Sequence, residues 1–148
     1  MPHTYTNLLA HIVFSTKERY PFIKAEHEQR LYEYIGGSIR GMKCICLEIG
    51  GVEEHVHMLV KLRPTLSVSR FLEELKPTVT KWARPIIHRK FEWQDGYGAF
   101  SIAESQVPSV RRYIQNQKEH HKKQTFEDEF KAMLERAGIE YDERFLWT

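Results

Sequence analysis

Residues 42–62 read MKCICLEIGGVEEHVHMLVKL, and this stretch decides the fold. Two runs, 42–49 and 55–62, carry the alternating apolar pattern of strands, and the Gly50-Gly51 pair between them predicts the turn of a hairpin. Side chains two apart share one face of a strand, so His55 and His57 should aim their imidazoles the same way while Val56 faces the opposite side. Cys44 and Cys46 alternate in the first run. In such a pattern they read as small core hydrophobes rather than as metal ligands or a disulfide.

Working outward from the hairpin, residues 5–14 (YTNLLAHIVF) form a largely apolar strand. Residues 25–39 follow a helical period through Leu31, Tyr34, Ile35 and Ile39, with Gly36 and Gly37 weakening the end. From residue 68 to 86 the stripe Val68, Phe71, Leu72, Leu75, Val79, Trp82 and Ile86 is again helical. Pro77 should kink or split it, and Pro85 disturbs the same run. Residues 97–103 (YGAFSIA) read as a strand. Residues 108–121 read as a helix with proline in its first turn and Val110, Tyr113, Ile114 and Gln117 on one side. A last amphipathic helix, residues 126–137, stops at Gly138. Strand, helix, strand, strand, helix, strand describes an α+β fold: a ferredoxin-like or RRM-like antiparallel sheet with helices on one face and additional C-terminal helices. No repeat or long linker divides residues 1–148, which are expected to form one domain.

Composition narrows the function classes. The chain of 148 residues has ordinary apolar and charged fractions. No apolar run approaches the roughly 20 residues needed to span a bilayer, and the start, MPHTYTN, lacks the features of a signal peptide, so a cytoplasmic protein is expected. Neither a phosphate-binding Gly-x-x-x-x-Gly-Lys loop nor a dinucleotide fingerprint is present. The net charge of +2 hides a local asymmetry. Residues 70–90 carry six basic residues against Glu73 and Glu74, and residues 106–124 carry Arg111, Arg112, Lys118, Lys122 and Lys123 against Glu119 alone. The last 24 residues reverse the sign, with seven acids. Basic stripes beside candidate chemistry suit a polyanion.

Two fragments carry that chemistry: EEHVHMLV, holding His55 and His57, and VRRYIQNQ, holding Tyr113 four residues before Gln117. Residues four apart share a helix face, so the phenol and the carboxamide point together, as the imidazoles do on their strand. If the two faces meet, two imidazoles and a carboxamide can grip one side of a divalent cation beside a nucleophilic oxygen. Taken singly, each residue has a plainer reading, a half-exposed histidine face or a core tyrosine with a wet hydroxyl.

The segments HIVFSTKERYPFI, GGVEEHVHMLV, WQDGYGAFSI, VRRYIQNQKEHHKKQTFEDEF and GIEYDERFLW closely resemble the single-tyrosine HUH transposases of the insertion sequence 200/605 family and their REP-associated relatives. The resemblance covers nearly the whole chain. It implies His55, His57 and Gln117 as metal ligands, Tyr113 as nucleophile, and Mg²⁺ or Mn²⁺ as the ion, although zinc would also bind such a set. It further implies nicking and rejoining of single-stranded DNA at hairpin-containing ends through a 5′-phosphotyrosine, in the bacterial or archaeal cytoplasm near the nucleoid. Arg111, Arg112, Lys118, Lys122 and Lys123 are candidate DNA contacts. Exchange between two ends calls for two nucleophiles, hence a homodimer, with the tyrosine helix docked on its own chain or on its partner's. His120 and His121 read as phosphate contacts or plain surface, and no residue stands out as general base.

Three rivals share parts of the pattern. A histidine-triad nucleotide hydrolase would need a third histidine at position 59, where this chain has Leu59. A replication-initiator or relaxase nuclease shares the ligand pair but not the C-terminal segments. The third is a non-catalytic nucleic-acid-binding module or a domesticated transposase that binds or nicks hairpin DNA for its host; intact Tyr113, His55, His57 and Gln117 argue against dead chemistry but not against domestication.

Overall fold

The computed structural model describes residues 3–148; Met1 and Pro2, at the head of the MPHTYTN segment, lie outside them. Four strands, β1 (Leu8–Ser15), β2 (Ile45–Val52), β3 (His55–Leu62) and β4 (Gly98–Ser101), form one sheet in the order β2-β3-β1-β4. Every neighbouring pair is antiparallel. Helix α1 (Ala25–Gly41) links β1 to β2, and α2 (Val68–Ile86) links β3 to β4. Three further helices follow: α3 (Val107–Gln115), α4 (Gln117–His120) and α5 (Phe126–Arg136). This is the expected ferredoxin-like α+β arrangement. Among the described residues no helix is long and apolar enough to cross a membrane.

Strand alternation sorts the two faces. Ile12 and Phe14 of β1 with Val56, Met58 and Val60 of β3 face Leu31, Ile35 and Ile39 of α1 and Phe71, Leu72, Leu75 and Val79 of α2. Cys44 belongs to this core, Cys46 packs at its edge, and both thiols are free. The opposite face is covered by the C-terminal helices, where Val13 packs under Phe126, Phe130, Met133 and Leu134 of α5. With both faces covered, β3 and all of β1 beyond the exposed Leu8 have little exposure.

The predicted Gly50-Gly51 turn is displaced. Both glycines lie within β2, Val52 pairs with His55, and Glu53-Glu54 makes the two-residue turn. The physical reason for glycine is close approach rather than turning: a Cβ on Gly50 would lie 2.5 Å from the carbonyl oxygen of Ile114 in α3. Gly50→Ala should therefore push α3 off the sheet at a cost of about 1–3 kcal/mol. In thermal unfolding that is a fall of several degrees. An unchanged midpoint would mean that α3 does not sit on β2 as described.

Pro77 does not split α2. Ser67 caps the helix by accepting from the Arg70 amide at 3.2 Å, and the apolar stripe holds it against the sheet. The Thr78 and Thr80 hydroxyls, both after the proline, donate one turn back to the carbonyls of Glu74 and Lys76, both before it, each at 2.9 Å. Beside it the Lys76 ammonium donates to Gln94 O at 2.9 Å and Gly96 O at 2.7 Å. Burial draws this amine down to about 8. Tertiary packing and these anchors outweigh the missing amide.

The expected continuous helix over 108–121 is interrupted at Asn116 (φ −97°, ψ 18°), so Tyr113 ends up in α3 and Gln117 begins α4. Helix α5 stops as expected, with Gly138 at φ +70° in the left-handed region.

Candidate active site and metal centre

The chemistry lies on the sheet face beneath α5. His55 and His57 project from β3, and His11 projects from β1 on the same face, because Val13 opposes His57 in the antiparallel register and His11 lies two residues along. Tyr113 comes from α3 over β2, Gln117 from the start of α4, His121 from just beyond it, and Glu129 from the first turn of α5.

One carboxylate joins these groups. Oε1 of Glu129 accepts from His57 Nε2 at 3.0 Å and from His121 Nε2 at 3.0 Å, with His55 Nε2 at 3.4 Å. Its Oε2 accepts from the Tyr113 hydroxyl and from Gln117 Nε2, the latter at 3.0 Å. His55 Nε2 donates to the Gln117 amide oxygen at 3.0 Å, while its Nδ1 lies 3.3 Å from Glu54. The Nδ1 of His57 pairs with His11 Nε2 at 2.8 Å. His55 and His57 are 0 % exposed, and Gln117 and Glu129 are 1 % exposed, so α5 closes the site from above. The interior is polar, and the buried rings of His11, His55 and His57 each have a hydrogen-bond partner.

Burial and pairing set the charges. Burial, then the neighbouring His57, lowers His11 to about 3. Burial also lowers His57, to about 4, against the pull of Glu129, so at neutral pH both rings are uncharged. Burial acts on His55 too, but hydrogen bonds with Glu129, Glu54 and Gln117 raise it on balance. Burial favours the neutral acid at Glu129, yet bonds from His121, His55 and His57 outweigh it and hold the carboxylate far below its usual range. Burial and then the Glu129 carboxylate push the Tyr113 phenol above its usual value, so its hydroxyl is held as a protonated donor in this arrangement.

These shifts carry a sign for stability. An unfolded chain would hold His11 and His57 near 6.5, above their folded values of about 3 and about 4, so it takes up more protons as the pH falls through that window. Glu129, depressed from 4.5, acts in the same direction below that pH, and the raised His55 opposes them. The metal-free protein should lose about 5 °C or more of melting temperature between pH 7 and pH 5. A flat profile would contradict neutral, buried imidazoles.

All four residues expected at the site, Tyr113, His55, His57 and Gln117, converge within one chain. The five basic residues line the exterior of α3 and α4 and the turn after them, all exposed. Arg111 pairs with Glu48 at 3.3 Å, Lys118 with Glu28, and Lys122 with Glu119 at 2.9 Å; among the described residues Arg112 and Lys123 make no ion pair. A cleft of about 430 Å³ lined by Glu54, Lys118, His121 and Lys122 reaches the edge of the cluster.

Sequence reading missed Glu129, His121 and His11. His121 is part of the cluster, not plain surface. The nitrogen and oxygen donors of His55, His57, His121 and Glu129 lie within 4.8 Å of one another, a set that suits a divalent metal ion. Weak signals existed: an acid in an otherwise amphipathic face of the last helix, and a second histidine pair, His120 and His121, one turn past Gln117. Neither says which face would meet the sheet.

The comparisons with known proteins come to the same architecture. A family model described as "Transposase IS200 like" matches residues 4–117, ending at Gln117, so His121 and Glu129 lie beyond the matched span. No curated protein matches the chain. Among solved structures, a protein of Deinococcus radiodurans R1 provisionally described as a transposase aligns with a TM-score of 0.63 at 18% identity, covering 79% of this chain and 96% of the other. A REP-associated tyrosine transposase bound to a REP hairpin aligns with a TM-score of 0.61 at 18% identity, covering 82% and 73%. At that identity the two structures speak for the fold, while the family match extends from before β1 to the first residue of α4. The chain belongs to the IS200-like transposase family.

Proposed function

We propose that the protein, acting as one domain over residues 1–148, nicks and rejoins single-stranded DNA at hairpin-bearing ends. Tyr113 attacks a phosphodiester in line. The phenol loses its proton, a bond forms from its oxygen to phosphorus, and the bond from phosphorus to the 3′-oxygen breaks. The 5′ end is left on the tyrosine and the 3′-oxygen takes up a proton. Reversal by another 3′-hydroxyl rejoins the strand without ATP, because the ester conserves the bond energy.

His55, His57 and Gln117 are the proposed ligands of Mg²⁺ or Mn²⁺. When bound, such an ion favours phenolate and offsets charge on the phosphate under attack. The His57 ring is already uncharged, as a ligand must be, whereas the partners that raise His55 favour its charged form, against which an ion would compete. As α5 lies here the proposed ligands His55, His57 and Gln117 are buried, and the half-buried Tyr113 hydroxyl is engaged by Glu129 of that helix. Action on DNA therefore requires α5 to withdraw, which also parts the phenol from the Glu129 carboxylate that keeps it protonated.

The observation that carries this reading is the convergence of Tyr113, His55, His57 and Gln117, from three separate elements, on a single point. The hairpin bound by the REP-associated relative supports the choice of DNA ends. Arg111, Arg112, Lys118, Lys122 and Lys123 are the proposed backbone contacts. One tyrosine holds one end at a time, so strand exchange is proposed for a homodimer, located in the cytoplasm with the DNA.

Incubating the protein with an end-labelled hairpin strand and Mn²⁺ should yield a protein–DNA adduct that survives denaturation, carries the 5′ end and is absent with a chelator. Nicking with no adduct, or an adduct unaffected by chelation, would contradict the mechanism.

A further inference from the structure

Three imidazole nitrogens face one carboxylate oxygen. His57 and His121 approach Glu129 Oε1 at 3.0 Å each and His55 at 3.4 Å, and all four donors lie within 4.8 Å of one another. Two of these residues, His121 and Glu129, are not among the ligands of the proposed strand transfer. We propose that His121 and Glu129 join His55 and His57 as ligands of one buried three-nitrogen, one-oxygen site, and that this closed site takes a transition-metal ion such as Zn²⁺, Co²⁺ or Mn²⁺ in preference to Mg²⁺.

The donor chemistry gives the preference. Imidazole suits first-row transition ions, whereas Mg²⁺ favours oxygen ligands and gives up its water reluctantly. Here three of four donors are nitrogen, and His55, His57 and Glu129 are buried under α5, where an ion must shed water. A second layer of partners orients the rings: His11 Nε2 lies 2.8 Å from the far nitrogen of His57, and Glu54 lies 3.3 Å from that of His55. With an ion bound, such outer partners would take the ring proton on the far nitrogen and leave the inner nitrogen free to bind. The ion would also tie α5 to the sheet, because Glu129 is the one donor that α5 supplies. Withdrawal of α5 would remove that oxygen and leave His55 and His57 with Gln117, the working set. Coordination and access to Tyr113 then become one event.

The inference rests on the metal reading of the site in taking His55 and His57 as ligands, and the test separates the two. Co²⁺ is titrated into metal-free protein and its visible absorption followed, since four- or five-coordinate Co²⁺ absorbs far more strongly than the six-coordinate ion. The wild type should develop strong bands that a large excess of Mg²⁺ does not remove. Glu129→Gln and His121→Ala should each weaken Co²⁺ binding about tenfold or more, with circular dichroism and melting checked for each variant. In the wild type itself, Zn²⁺ should shift the imidazole NMR signals of His121, a readout that needs no variant to fold.

Binding that is unchanged or tighter in folded Glu129→Gln, weak six-coordinate absorption, displacement by Mg²⁺, or unmoved His121 signals would each overturn the inference. If His57→Ala alone abolishes binding while the other two variants bind as wild type, only this inference fails. If the wild type binds no divalent ion at all, the metal-dependent function fails with it.

Discussion

Tyr113→Phe should abolish covalent attachment to the 5′ end of a nicked strand while leaving hairpin binding unchanged. The substitution removes one oxygen and keeps the ring that packs near His57 and His120, with centroids 5.6 and 5.3 Å away. The phenol hydroxyl donates to Glu129, which keeps its bonds from His57, His121 and Gln117 when that donor is lost. The stability cost should therefore stay near 1–2 kcal/mol. Loss of the nucleophile removes the chemical step, so adduct should fall by at least about 10³-fold. A labelled hairpin run on a denaturing gel reads the attachment, and a native gel reads binding. Persistent adduct from Tyr113→Phe would falsify the assignment of the nucleophile.

His57→Ala should lower metal-dependent nicking by about 10²-fold or more. His57 is fully buried, and its two nitrogens meet Glu129 and His11. Truncation leaves a cavity and two polar groups short of a partner, at a cost of about 2–4 kcal/mol. That corresponds to a fall of roughly 5–15 °C in melting temperature. Stability and chemistry must therefore be read together, at a temperature where circular dichroism shows the variant folded. Folded His57→Ala that nicks at the wild-type rate with the same Mn²⁺ dependence would remove His57 from the metal site and leave it a core residue.

Much of this architecture was readable because local periods are strong. A two-residue period put His55 and His57 on one face of β3, and the register kept them there. Tyr113 and Gln117 meet the same carboxylate as a four-residue spacing implies, even though Asn116 separates α3 from α4. The errors arose where a residue's local meaning is ambiguous. Glycine signals turning and close approach alike, and only the packing of Ile114 over Gly50 shows which applies. Proline weakens a helix locally, yet burial of Leu72, Leu75 and Val79 against the sheet carries α2 through Pro77.

By itself the sequence determined the order of elements, the shared face of the two imidazoles and the pairing of phenol with carboxamide, since each depends on spacing along a few neighbouring residues. The tertiary structure alone decided that Glu129 would stand at the meeting point and that α5 would close over it. His57 and Glu129 are 72 positions apart, and contact over that distance is set by which apolar stripe packs on which sheet face, a property of the whole chain rather than of any local period.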